Sequence, residues 1–232
     1  WHLCIDETGE FEFLLKKNST SRIVGCLCDQ NQTGRIRKEL KPVLDRHGID
    51  HNHFCEIRDG QRRERLVDEL LTCLPGWTRA VVRTTGAKFF SIHPQQAYSV
   101  CLVALILGTI EHNGDLLRGH ELRVSIAQRS GVITETQESS RKEFNSAFAE
   151  AVRSQVERIA ARSSITVTVT VGSAFRDPEL ILADMVTGLT NSAHARLSET
   201  VPLQDINVHA YFSVVFGQEA GDLLTLAIEG KK

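Results

Sequence analysis

Apolar and polar positions along this chain follow two rhythms, a period of two in short runs and a period near 3.6 in longer ones. Residues 2–6, 11–16 and 22–28 read as three strands in succession, with Gly9 and Asn18-Ser19-Thr20 in the links between them. That order predicts an antiparallel meander. Residues 34–47 carry Ile36, Leu40, Val43 and Leu44 at helical spacing, with Gly48 as the stop. Pro42 lies inside this pattern and predicts a kink or a later start. A second helix is predicted over 61–74, ended by Pro75-Gly76, and a strand within 77–84. Residues 94–112 form a long apolar helix with Tyr98, Cys101, Leu102, Leu105 and Ile106 on one stripe, as expected for a central buried element. A strand over 122–126 and a long amphipathic helix over 137–161 follow. Thr and Val then alternate along a strand over 165–171. Residues 178–192 read as a helix with Asp177 as N-cap and Pro178 at its first position. The stretch 208–228 reads as a strand or short helix followed by a helix.

Helices alternate with strands after the meander, and no repeat, low-complexity segment or Pro/Gly-rich linker divides the 232 residues. The expectation is one mixed α/β domain over 1–232, with a helical insertion around 34–74 and a C-terminal extension around 205–232. Composition is ordinary for a globular chain, 41% hydrophobic and 24% charged, so a core can form without disulfides or a structural metal. No run of about eighteen apolar residues occurs, so no membrane span is expected. No signal-peptide pattern is visible, and the start at Trp1 leaves room for an upstream piece. The six cysteines sit mostly among apolar neighbours without a Cys-x-x-Cys pair, which fits a reducing, cytoplasmic setting and argues against a zinc ribbon.

Net charge is -2, so the whole chain lacks the basic signature of a nucleic-acid binder. Two local clusters stand out, Arg35, Arg37, Lys38 and Lys41, then Arg58, Arg62, Arg63 and Arg65. Clustered arginines can follow phosphates. The competing reading is a solvated helix face balanced by Glu39, Asp45, Glu64 and Asp68. Arg37, Lys38, Arg62 and Arg63 are the candidate contacts to DNA or RNA.

Three stretches carry candidate chemistry. In Leu3-Cys4-Ile5-Asp6-Glu7-Thr8-Gly9, an apolar strand runs into two acids. A carboxylate at the end of a buried strand is costly unless it meets a cation, and Mg²⁺ or Mn²⁺ would supply one. The alternative is a hairpin with solvated acids. Asp184 is a lone acid in the apolar run Leu180-Ile181-Leu182-Ala183-Asp184-Met185-Val186-Thr187-Gly188-Leu189, where it is paired, solvated or metal-bound. In His53-Phe54-Cys55-Glu56, a helical backbone would put His53 and Glu56 on one face. A zinc site on His51, His53 and Cys55 would lack an evident fourth ligand.

These motifs resemble those of a large, mainly prokaryotic family of ribonuclease H-like proteins of unknown function. That family opens on Asp-Glu-Ser-Gly, has a middle His-x-x-Glu element, and carries Ala-Asp on a late leucine-rich helix. The meander followed by helix-separated strands also matches the ribonuclease H-like plan, an α/β fold with a mixed sheet flanked by helices. The resemblance implies a divalent-metal nuclease site, Mg²⁺ or Mn²⁺, in settings of defence against mobile elements, with a protein partner in a defence complex as a further expectation. Carried over residue by residue, Asp6, Glu56 and Asp184 become metal ligands. Glu7 becomes a ligand or a nearby acceptor, and His53 orients Glu56 or shuttles a proton. One departure matters: the family places an acid near the end of the strand before the long late helix, and this chain has Ala127 in that slot. Ala127 is either a lost ligand or a substitution that disables the site. The reading is a metal-dependent nuclease, set against a degenerate ribonuclease H-like nucleic-acid- or protein-binding module and against a hydrolase of a small phosphate ester.

Overall fold

The structure is a computed structural model, and it describes residues 1–8, 22–49, 54, 57–85, 94–127, 138–172 and 177–211. Six strands form one mixed sheet: β1 (His2–Thr8), β2 (Arg22–Cys28), β3 (Ala80–Thr85), β4 (Glu121–Ala127), β5 (Thr166–Gly172) and β6 (Leu203–Asn207). Their order across the sheet is β5-β4-β1-β2-β3-β6. β1 pairs antiparallel with β2, and β2 with β3, while β4 lies parallel to β1, β5 to β4 and β6 to β3. An antiparallel meander joined to helix-separated parallel strands is the ribonuclease H-like plan expected from the sequence, with β6 added beyond β3.

Two expectations are corrected in detail. The strand that runs back along β1 is β2, and the third strand of the meander is β3; the expected strand over 11–16 lies outside the described residues. The helical insertion therefore sits between the second and third strands. The expected extension begins with a true sheet strand, because Val81 to Thr85 pair with Leu203 to Asn207.

Seven helices are described: α1 (Gln30–Arg46), α2 (Gly60–Cys73), α3 (Pro94–His112), the single turn α4 (Gly114–Leu117), α5 (Glu138–Ala160), α6 (Pro178–Ser192) and α7 (His194–Thr200). α1 begins at Gln30, four residues before the expected start at residue 34, because Asp29 caps it, accepting from the Asn31 N–H at 2.9 Å. Pro42 is accommodated within it. The Lys38 carbonyl that Pro42 cannot satisfy belongs to an exposed stretch, where water is available.

Strand alternation divides the core between the two faces of the sheet. On one face, Leu3, Ile5, Ile23, Leu27, Val82, Val124, Ile126 and Val167 pack against α3 and α5. α3 is buried along nearly its whole length, and Gly108 lets it close on β6, since a Cβ there would meet Ile206 Cδ1 at 2.6 Å. On the other face, Val24, Cys26, Cys28 and Val81 lie under α1, α2 and α6. The sheet is thus the middle layer of three, and α6 crosses β1 and β2 from outside. Among the described residues no helix is long and apolar enough to cross a membrane.

Candidate functional site

The site is built at the end of β1. Leu3 and Ile5 enter the α3–α5 layer, so alternation turns Cys4 and Asp6 toward α6. Cys4 packs there with Ala127 at the end of β4 and with Leu180 and Ala183 of α6. The register pairs Ile5 with Ile126, so one residue further Asp6 stands beside Ala127. Asp6 is only 8% exposed. Its charge reaches the Cys26 thiol, whose pKa is held up chiefly by burial, then by Cys28 and Asp6. A buried carboxylate at a strand end is therefore a structural fact of this chain.

Asp184 follows Ala183 on α6 and is half-buried. Its Oδ2 accepts a 2.9 Å hydrogen bond from the backbone N–H of Phe54. Phe54 is buried, and its ring lies against Gly188, one helical turn after Asp184. A Cβ at Gly188 would fall inside the ring's van der Waals envelope, with Cε1 at 2.7 Å. Stretches 130 residues apart, 54 and 184, thus meet at the α6 surface. His53 and Glu56 flank Phe54 in the chain, and both lie outside the described residues, as do His51 and Cys55.

Asp6 and Glu7 diverge at the strand end. Glu7 Oε2 accepts a 3.4 Å hydrogen bond from Tyr98 Oη, on the α3 side of the sheet. Ala127 is 4% exposed, and its methyl group is part of a small apolar cluster rather than a solvent-facing gap.

The basic clusters are partly committed within the molecule. Arg37 Nε donates to Glu179 Oε1 at 3.1 Å, Arg35 pairs with Glu39 at 2.8 Å, and Lys41 with Asp45 at 2.9 Å. Arg62 donates to the carbonyls of His47 and Gly48, fastening α2 to the end of α1. Lys38 and Arg63 are exposed.

Sequence reading passed over Glu179. It is 1% exposed, one oxygen is held by Arg37, and among the described residues Oε2 has no hydrogen-bond donor. Burial, aided by a hydrogen bond to Asp177, pushes its carboxyl up to about 7, against the pull of Arg37. An acid just after Asp177-Pro178 reads as an ordinary first-turn residue, favourable to the helix dipole, and nothing in that pattern signals burial. His2 lies near the same corner, with Nε2 2.8 Å from Ser125 Oγ. Burial lowers its pKa, and the charge of Asp177 opposes that.

Asp6 and Asp184 have the oxygen chemistry that Mg²⁺ or Mn²⁺ prefers. Among the described residues no group of three or more His, Cys, Asp or Glu side chains is arranged to hold an ion. That agrees with a methyl group at position 127 and with Glu56 outside the described residues.

No family model matches this sequence, and no curated protein does. Among solved structures it is similar to the one titled "Structure of the PCNA:RNase HII complex from Archaeoglobus fulgidus", with 13% identity and a TM-score of 0.41, covering 100% of this chain and 90% of that one. The strand order β5-β4-β1-β2-β3-β6, with β1, β2 and β3 antiparallel and β4 and β5 parallel to β1, defines the fold.

Proposed function

We propose that this chain is a ribonuclease H-like phosphodiesterase, a divalent-metal-dependent nuclease whose carboxylate set is reduced at Ala127. One observation carries the reading: Asp6 is buried on the sheet face that α6 covers, and Asp184 of α6 is bonded to the segment bearing His53 and Glu56. Cys4 of the first motif and Phe54 of the middle stretch both meet α6, the helix that carries Asp184, and this supports the reading. Asp6, Glu56 and Asp184 would hold the cation. Such an ion supplies a Lewis acid and a more acidic bound water for phosphodiester hydrolysis.

The chain's own residues do the rest. The Phe54 N–H fixes the orientation of the Asp184 carboxylate. His53, next to Phe54, orients Glu56 or carries a proton to the leaving oxygen. Nucleic acid is the substrate class in this reading, with Lys38 and Arg63 as exposed phosphate contacts.

A second reading has its own support. The Ala127 methyl packs with Cys4, Leu180 and Ala183, as in a site whose ligand was replaced by core packing. Such a protein would bind nucleic acid or a protein without cutting.

The experiment is Ala127→Asp, assayed for Mg²⁺- and Mn²⁺-dependent cleavage of single- and double-stranded DNA and RNA. The nuclease reading expects tighter metal binding and cleavage at least tenfold above the unaltered chain. A folded Ala127→Asp protein that binds metal no better and cuts nothing contradicts it. Marked destabilisation, as expected for an acid placed unpaired among apolar groups, favours the binder.

A further inference from the structure

We propose that Phe144 is the outer step of an aromatic stack that receives an unpaired nucleobase, so that single-stranded nucleic acid is the form this chain prefers. This rests on the nucleic-acid reading above and adds to it the form of the substrate and one residue that holds it.

Three rings line up from the core to the surface. Tyr98 of α3 is buried. Phe148 of α5 stacks on it, with ring centroids 6.0 Å apart and planes 18° from parallel. Phe144, one helical turn nearer the start of α5, stacks on Phe148 at 6.3 Å and 9°. Residues four apart on a helix lie one above the other, so α5 itself sets the outer step. Phe148 is half-buried against the α3 side of the core. Phe144 is 37% exposed and is the one exposed large hydrophobic side chain among the described residues. The inner end of the stack reaches the candidate site. Tyr98 Oη donates to Glu7 Oε2 at 3.4 Å, and Glu7 follows Asp6 in β1. β1 runs parallel to β4 and ends at Thr8, so the stack starts at the carboxyl end of these strands. That end of a parallel pair is where open α/β sheets bind their ligands.

An exposed phenylalanine is ordinary by itself. Here the ring is held nearly parallel to Phe148, which is stacked in turn on a buried tyrosine bonded to the strand end. The outer ring is thus presented in a fixed orientation, and a ligand that stacks on it orders little of the protein. The surroundings decide the class of ligand. A protein partner calls for a contiguous apolar patch, on the order of 300 Å² or more. Next to Phe144, Glu143 and Ser146 are polar and exposed, and the exposed Ala147 is small. One aromatic ring in a polar setting fits one planar base, and every base has a π-face to offer. Bases inside a duplex are already stacked on their neighbours, whereas those of a single strand can splay out onto a side chain.

The test measures fluorescence anisotropy of labelled single strands of about 12 nucleotides, and of a duplex of the same sequence, with EDTA present so that cleavage does not intervene. The variants are Phe144→Ala, Phe144→Leu and Phe144→Trp. Phe144→Ala is expected to weaken single-strand binding by about fivefold or more. Phe144→Leu keeps the apolar bulk and loses the π-face, so it should lose nearly as much, while Phe144→Trp should bind at least as tightly as the unaltered chain. The contrast between Leu and Trp separates stacking from packing. Duplex affinity should be the same in all four proteins. The slope of log K against log salt should not change, because no charge is removed. Phe144→Leu binding single strands as tightly as the unaltered chain, an equal loss on duplex, or no single-strand binding by the unaltered chain would each overturn the proposal. Cleavage by Ala127→Asp with unchanged affinity in Phe144→Ala would remove the stack and leave the nuclease reading standing. Stacking-dependent binding without cleavage would do the reverse.

Discussion

At the scale of single residues, Glu179 ties stability to pH. Its carboxyl titrates near 7 in the folded chain and near 4.5 when unperturbed, so the folded state holds its proton over a wider range. Between those values the folded form binds more protons than the unfolded one, and stability falls as pH rises through the window. The Glu179 contribution is fully present below about pH 4.5 and is lost above about pH 7. Glu179→Gln should flatten this slope. Unfolding free energies at pH 5 and pH 8, from denaturant titrations, should differ less than in the unaltered protein, by an amount up to about 3 kcal/mol. An unchanged slope would mean that Arg37 already balances the buried charge. Asp6 and Asp184 were legible in the sequence because each is an acid amid apolar residues. Glu179 was not, because its burial comes from α6 docking on the sheet and from Arg37 on another helix.

At the scale of elements, legibility followed the strength of local signals. α3 and α6 start and stop where the sequence put them, each opening on a proline at its first position and sustaining an apolar pattern. α7 and β6 were missed. β6 reads Leu-Gln-Asp-Ile-Asn, with Ile206 its only fully buried residue, and it is a strand because β3 offers a free edge. Pairing of that kind is tertiary and leaves little trace in five residues. α1 began earlier than its apolar stripe because the cap at Asp29 outweighs the polar residues of the first turn. Asp29→Ala should cost about 1 kcal/mol in urea unfolding, while Asp29→Asn should be nearly neutral. Equal losses for both changes would show that charge rather than capping is at work.

For the whole molecule, the helical pair α1 and α2 is inserted between the second and third strands and brings most of the clustered arginines. Several are fastened internally, so the surface left for phosphates is narrower than the sequence suggested. Lys38→Glu and Arg63→Glu should each weaken nucleic-acid binding and lower the slope of log K against log salt by about 1. Arg62→Glu, by contrast, should reduce stability as well, because Arg62 joins α2 to the end of α1. Binding insensitive to both exposed changes would point to a protein partner.

The central claim is that Asp6 and Asp184 serve one cation. Crystals grown with Mn²⁺, and anomalous differences recorded for that ion, test it most directly. The prediction is a Mn²⁺ peak bridging or adjoining both carboxylates, with oxygen distances of about 2.0–2.6 Å. The peak should be stronger in Ala127→Asp and absent in Asp6→Asn. Full occupancy elsewhere with none between Asp6 and Asp184, in both the unaltered and the Ala127→Asp protein, would contradict the account.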